Sequence, residues 1–283
     1  MTTRNDGKRE AREKLLAQRA AEQARQRRSE RLVRIGAPML VVALVVLIGV
    51  VVQVWRSGDD VDPDAARPAG VTEVGAGFTL GAATGVPVID VWEDFQCPVC
   101  KDFEESTGDT LRELAATGKA RVVFHPLSFL DDNLGNDSSR RAANAFGCAI
   151  DAGKGADYHA TVFANQPAKE GDGYTDEELL RFGRDAGITG AAYDTFASCV
   201  SGERYAGWVQ QVDASMATFG VTGTPTMFID GKRQDYAVNG QLNAVYTPDG
   251  LRAAVAAATP AGAAPTTPTR PTTPSAAASA SVG

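Results

Sequence analysis

Apolar and polar positions divide the chain into five unlike stretches. Residues 1–34 are polar and densely charged. Ile35–Val54 is an unbroken uncharged run. Residues 55–77 are rich in Asp, Pro, Ala and Gly. Residues 78–258 carry strand and helix patterns, and residues 259–283 are almost wholly Thr, Pro, Ala, Ser and Gly. Within the patterned stretch, the continuous apolar segment from Val86 to Trp92 predicts a buried strand. Lys101 to Thr117 has helical spacing (Phe103, Leu111, Leu114, Ala115) and a stop at Gly118. Ala120 to Phe124 predicts a second strand. From Asn136 to about Gly220 the pattern is helical, broken near Gly153, Pro167–Gly173 and Gly187–Gly190. Thr226 to Lys232 predicts a strand running into a turn, and Tyr236 to Val238 a short pairing segment. Pro248 to Ala258 predicts a last helix capped by Thr247. The order is that of a small α/β sheet interrupted by a helical insertion over about residues 136–220.

The flanking stretches set the expected location. Ile35–Val54 has the roughly 20 residues that a bilayer-crossing helix needs. A secretory signal would have a shorter apolar core and a small-residue cleavage site, and neither is evident. Residues 1–34 hold eleven Lys and Arg against five acidic residues. Asp59, Asp60, Asp62 and Asp64 follow the run, so the positive-inside rule puts residues 1–34 in the cytoplasm and the rest outside. The expectation is a single-pass anchor in the cell membrane (35–54), a linker (55–77), an extracytoplasmic domain (78–258) and a disordered tail (259–283). The basic segment is read first as a topology determinant, with contact to anionic lipid as the alternative.

The net charge of −7 hides this asymmetry, because everything after residue 34 is acidic. That excludes nucleic acid as a main partner. The chain has four cysteines, Cys97, Cys100, Cys148 and Cys199, all on the outer side, where disulfides persist.

Cys97 and Cys100 lie in Asp94-Phe95-Gln96-Cys97-Pro98-Val99-Cys100, between a predicted strand and a predicted helix. This places the Cys97 thiol at a helix N-terminus, where free N–H groups favour a thiolate. The pair suits cycling between dithiol and disulfide. Zinc uses the same spacing but needs two further ligands. Only His125 and His159 are offered, with no second CxxC, so no metal is expected.

Gly223-Thr224-Pro225-Thr226 precedes the Met227–Asp230 strand. With this segment, the Cys97-Pro98-Val99-Cys100 site, the following Phe103-Glu104-Glu105 and the helical insertion, the chain resembles the DsbA-like thiol-disulfide oxidoreductases of the thioredoxin superfamily, including membrane-anchored actinobacterial types. The resemblance implies a thioredoxin-like fold preceded by the transmembrane helix. Pro225 would follow a cis peptide bond and face the CxxC site. Cys97 would be the exchanging sulfur and Cys100 its buried partner, while Thr224, Pro225, Pro98 and Val99 would border the substrate peptide. No cofactor is implied beyond the Cys97–Cys100 disulfide.

Two departures stand out. Val99 occupies a position that is His in the strongly oxidising members and can give a thiolate no hydrogen bond. Val91 stands where several members bury a carboxylate, which leaves Glu104 first, and Glu93 after it, as the acid/base candidate. Both glutamates also fit a solvated surface. Cys148 and Cys199 are read as a structural disulfide of the kind some such relatives carry, with unpaired thiols or a redox relay as the alternatives.

His125 and His159 are read as packing residues. Trp92 and Phe95 are read as core or site rim, and as an apolar platform for clients. The expected activity is transfer of the disulfide to unfolded exported proteins, with a DsbB- or VKOR-like membrane protein as reoxidant. A reductase or isomerase using the same residues is the alternative, and a non-redox chaperone or binding module the third reading.

Overall fold

The computed structural model of the chain describes residues 61–238 and 240–258. The basic segment 1–34, the proposed span 35–54, the start of the linker and the tail 259–283 lie outside the described residues. Among the described residues, no helix is long and apolar enough to cross a membrane.

A five-stranded sheet forms the centre. β1 (Phe78–Leu80) pairs antiparallel with β3 (Arg121–Leu127). β3 runs parallel to β2 (Val88–Asp94), and β2 pairs antiparallel with β4 (Thr226–Ile229). β5 (Lys232–Gln234) closes the far edge against β4. β2 is the middle strand, and Ile89, Val91 and Trp92 on it have no exposed surface. Burial on both faces explains why this stretch reads as a continuous apolar run instead of alternating.

The chain leaves β2 at Asp94 and enters α1 (Pro98–Phe103), with Cys97 as its N-cap and Pro98 in the first turn. A π turn (Glu104–Gly108) joins α1 to α2 (Asp109–Ala116) without a break. The helix expected from Lys101 therefore starts earlier, and its periodicity slips once in the middle.

After β3 come the short α3 (Leu130–Leu134) and then α4 (Ser138–Asp151), α5 (Gly155–Ala164), α6 (Asp176–Asp185), α7 (Gly190–Ser201) and α8 (Ala206–Phe219). Three breaks fall near Gly153, Pro167–Gly173 and Gly187–Gly190, as the sequence predicts, and a further one separates α7 from α8 at residues 202–205, which the sequence pattern does not mark. A capping box formed by Thr175 and Glu178 starts α6. Cys148 on α4 is bonded to Cys199 on α7, so the second cysteine pair is a disulfide within the insertion.

The segment after β5 forms a hairpin of β6 (Ala237–Val238) and β7 (Gln241–Leu242). Then α9 (Pro248–Ala257) begins, with the Thr247 hydroxyl accepting from the Gly250 N–H. β1, α3 and β7 are too short to carry a period, and the sequence pattern does not show them.

Residues 61–77 are irregular, as their composition predicts, yet they are packed. The Trp208 Nε1–H donates to the Ala76 carbonyl at 2.9 Å, and the Gln211 side chain donates to the Asp62 carbonyl at 2.7 Å. Val71 is buried in the core. The later part of the expected linker is thus strapped to α8.

Candidate active site

The turn Asp94–Cys97 carries the site, and side chains from the helical insertion hold it. The Asp94 carboxylate accepts from the Gln96 N–H at 2.9 Å, the Leu130 N–H at 3.2 Å and the Ser139 hydroxyl at 2.5 Å. The Gln96 amide donates to Asp131, Asn136 and Ser139. Gln166 donates to the carbonyls of Phe95 (2.8 Å) and Cys97 (3.0 Å), and the Tyr174 hydroxyl donates to the Phe95 carbonyl at 2.6 Å. The Phe95 carbonyl precedes the helix and takes its partners from the insertion, while the Cys97 carbonyl also accepts from the Cys100 and Lys101 N–H groups of the first helical turn. No sequence signal marks Gln166 or Tyr174: each sits in a chain break, far from Cys97.

The two cysteines are free thiols in unlike environments. Cys100 is fully buried, and Cys97 keeps 7 % of its surface exposed, next to the exposed Pro98 and Val99 that follow it. The Cys97 thiol is lowered from its ordinary 9.0 to about 6. The largest cause is the hydrogen bond from the Cys100 thiol; Thr224 and the N–H groups of Cys100 and Val99 add to it, and desolvation opposes it. Cys100 is pushed well above 9.0, first by burial and then by the Cys97 and Glu93 charges.

Thr224 meets the Cys97 sulfur in both its forms. Its carbonyl, at 3.7 Å, accepts from the thiol, and its buried hydroxyl, which has no hydrogen-bond partner in this form, is among the groups that favour the thiolate. The Thr224–Pro225 bond is cis. Pro225 itself is buried and Thr224 is half-buried, so Thr224 is the member of that pair that borders the open side. Val99 gives the thiolate no imidazole, yet the surrounding N–H, O–H and S–H donors suffice to lower it.

Behind the cysteines lies a buried ionisable cluster. Glu93 is 3 % exposed, and its Oε2 is 3.1 Å from His159 Nε2. Glu104 Oε2 is 3.8 Å from His159 Nδ1 and 3.4 Å from the Arg112 guanidinium. A Cβ at position 108 would collide with the Glu104 carboxylate, so Gly108 in the π turn makes room for it. Burial raises Glu93 well above its ordinary value, with the Cys97 charge adding to the effect. Glu104 is raised to about 7, by burial and then by the Glu93 charge. Burial lowers His159 to about 4. The cluster therefore holds a proton on a carboxyl near neutral pH, beside a neutral imidazole.

The three side chains offer ligand atoms within 4.8 Å of one another, the donor set of a small cation site. Arg112 already supplies positive charge to Glu104 there, which favours a proton over a metal ion as the guest.

Three readings need correction. His159 is not only a packing residue: it closes the cluster while its ring sits among Phe95, Phe124, Phe146 and Phe163. Glu93 and Glu104 are both buried, so neither is a solvated surface charge. Trp92 and Phe95 are 0 % and 2 % exposed, so they are core and offer no apolar platform. Trp92 stacks on His125 at 4.0 Å, and His125 is bonded to Asp90, a structural role as expected.

Residues 73–244 match the family model described as Thioredoxin. Among solved structures, the chain is similar to the reduced form of a disulfide bond oxidoreductase (DsbG) from Mycobacterium tuberculosis. The two are 26 % identical over 68 % of this chain and 92 % of that one, with a TM-score of 0.52. The oxidised DsbA of the same organism is 25 % identical over 63 % of this chain and 90 % of that one, with a TM-score of 0.51. MdbA, a thiol-disulfide oxidoreductase from Actinomyces oris, shares the fold at 22 % identity over 68 % of this chain and 96 % of that one, with a TM-score of 0.55. No curated protein sequence matches the chain.

Proposed function

The chain belongs to the thioredoxin family and is a DsbA-like thiol-disulfide oxidoreductase, and we propose that it acts as an oxidase that hands its Cys97–Cys100 disulfide to reduced, exported polypeptides outside the cytoplasm. The observation that carries this direction is the inequality of the two sulfurs. A thiolate favoured at Cys97 stabilises the dithiol form and so makes the disulfide a willing acceptor of electrons.

In the proposed reaction a client thiolate attacks the Cys97 sulfur. The Cys97–Cys100 bond breaks, Cys100 takes the electron pair, and a client–Cys97 disulfide forms. The second client thiolate then attacks the client sulfur, and Cys97 departs as a thiolate. The client loses two electrons and the enzyme gains them. Cys100 cannot remain charged in its buried position, so it needs a proton at the moment it leaves. The cluster supports the reading of Glu93, whose charge acts on both cysteines, as the source, with Glu104 behind it through His159.

A DsbB- or VKOR-like membrane protein is the reoxidant that this scheme calls for. The Ile35–Val54 run, read as an anchor, would hold the two at high effective concentration.

The disulfide form is expected to oxidise a reduced unfolded protein, and the dithiol form to reduce insulin only poorly. The reverse pattern would make the protein a reductase. Glu104→Gln is expected to slow client oxidation roughly a hundredfold, the low end of a general-acid contribution. It should also erase the pH limb near 7 that the wild type shows, which loss of packing alone would not do. The stability sign is defined too. A carboxyl raised in the fold costs stability as pH climbs from its unfolded value of 4.5 toward about 7, so Glu104→Gln should gain stability over the wild type above pH 7 and not below pH 4.5.

A further inference from the structure

One side chain reaches the backbone of the exchanging cysteine from outside the turn that carries it. Gln166 is buried in the α5–α6 connection, and its amide nitrogen donates to two carbonyls, that of Phe95 at 2.8 Å and that of Cys97 at 3.0 Å. Among the described residues no other side chain donates to the Cys97 backbone. The backbone carbonyl of Gln166 accepts from Lys101 Nζ at 3.4 Å. A single residue is thus tied to the chain on both sides of the Cys97-Pro98-Val99-Cys100 run.

Neither carbonyl depends on Gln166 for a partner. Phe95 also accepts from the Tyr174 hydroxyl at 2.6 Å, and Cys97 from the N–H groups of Cys100 at 3.1 Å and Lys101 at 3.2 Å. Satisfying a buried acceptor therefore does not account for the two bonds. What they do, and the other donors do not, is span: one amide fixes the carbonyl before the turn relative to the carbonyl that starts α1. Pro98 has no N–H, so the Cys97–Pro98 peptide plane can be held only through its carbonyl. That plane sets the direction of the N–H groups that follow, on Val99 and Cys100, which face the Cys97 sulfur. The amide is itself carried by a helix end, because the Gln166 N–H donates to the Phe163 carbonyl of α5 at 3.1 Å.

We propose that Gln166 is a positioning residue for the exchange reaction, holding the Cys97–Pro98 peptide so that the first N–H groups of α1 stay directed at the Cys97 sulfur. This rests on the oxidoreductase reading above and deepens it. The field of a helix N-terminus acts within its first turn, so a small rotation of that turn takes its donors off the sulfur. The helical insertion, which supplies no donor to the sulfur itself, thereby sets how readily that sulfur carries charge.

The test compares the reduced full chain with Gln166→Met and Tyr174→Phe. The first keeps the length of the side chain and removes the donor; the second removes a donor to Phe95 alone. Alkylation of Cys97 against pH reads the sulfur directly. The groups that act on it (the Cys100 thiol, Thr224, the Val99 and Cys100 N–H groups and the Glu93 carboxyl) are unaltered in both variants. Gln166→Met is expected to raise the midpoint from about pH 6 by about a tenfold gain in proton affinity, as weakening one hydrogen bond to a charged atom would. The equilibrium in which two glutathione thiols reduce the Cys97–Cys100 disulfide should shift about fivefold toward the disulfide. Tyr174→Phe is expected to change either quantity by less than about twofold. An unchanged midpoint in Gln166→Met would overturn the positioning role. So would an equal shift in Tyr174→Phe, which would assign the effect to packing of the whole connection. A wild-type midpoint near 9.0 would instead remove the oxidoreductase reading on which the proposal rests.

Discussion

Replacing Cys97 with Ser should abolish disulfide transfer, lowering the rate on the order of a thousandfold, to that of background thiol exchange. A hydroxyl oxygen cannot take over a mixed disulfide, and Cys100 cannot stand in, because it is fully buried and its thiol is held protonated. The loss should not reflect unfolding. Position 97 is the N-cap of α1, where the cysteine makes no side-chain capping bond and serine is a preferred residue. Cys100→Ser should behave differently. Cys97 could still exchange with an activated client disulfide but would lack its internal partner, so a client–Cys97 adduct should accumulate on a non-reducing gel. A binding module would keep its client affinity and its effect in both variants; retained activity in Cys97→Ser would falsify the redox account.

The second large effect concerns the insertion. Cys148 and Cys199 are 51 positions apart, and closing a loop of that length is worth roughly 4 kcal/mol in chain entropy. With Cys97 and Cys100 blocked in both proteins, Cys148→Ala/Cys199→Ala should lose about that much in urea unfolding and roughly 10 °C in Tm. The consequence reaches the site, because α4 supplies Ser139, which holds Asp94, and the α5–α6 connection supplies Gln166 and Tyr174. A change below about 1 kcal/mol would mean that packing between α4 and α7 dominates, and that the crosslink adds little.

What could be read from the sequence was local. The strand ending at Asp94, the cysteine pair, Pro98 in the first turn and the Thr224–Pro225 segment are short contiguous patterns with a direct physical meaning. With the resemblance they carry, they point to the thioredoxin-like α/β fold and to the proposed site. The parts that were not legible come from distant elements. His159 lies on an apolar helix and looks like core; only the packing of α5 against the π turn brings it within 3.8 Å of Glu104. The π turn itself left no mark beyond Gly108, whose missing side chain admits the Glu104 carboxylate. Gln166 and Tyr174 sit in irregular chain, where periodicity carries no information.

For Trp92 and Phe95 the reading as core holds, and only the apolar platform offered beside it fails. Aromatic residues next to a site invite a surface role, but both faces of β2 are covered and both rings are core.

The central claim is that the Cys97 sulfur is charged near neutral pH, and titration of the reduced protein reads this directly. Thiolate ultraviolet absorbance, or the rate of alkylation at Cys97, should rise with a midpoint at about pH 6 in the wild type. The linked stability has a fixed sign. A depressed thiol stabilises the reduced fold above its unfolded value of 9.0, and that contribution disappears as pH falls through about 6. A midpoint near 9.0, as for an ordinary cysteine, would contradict the account.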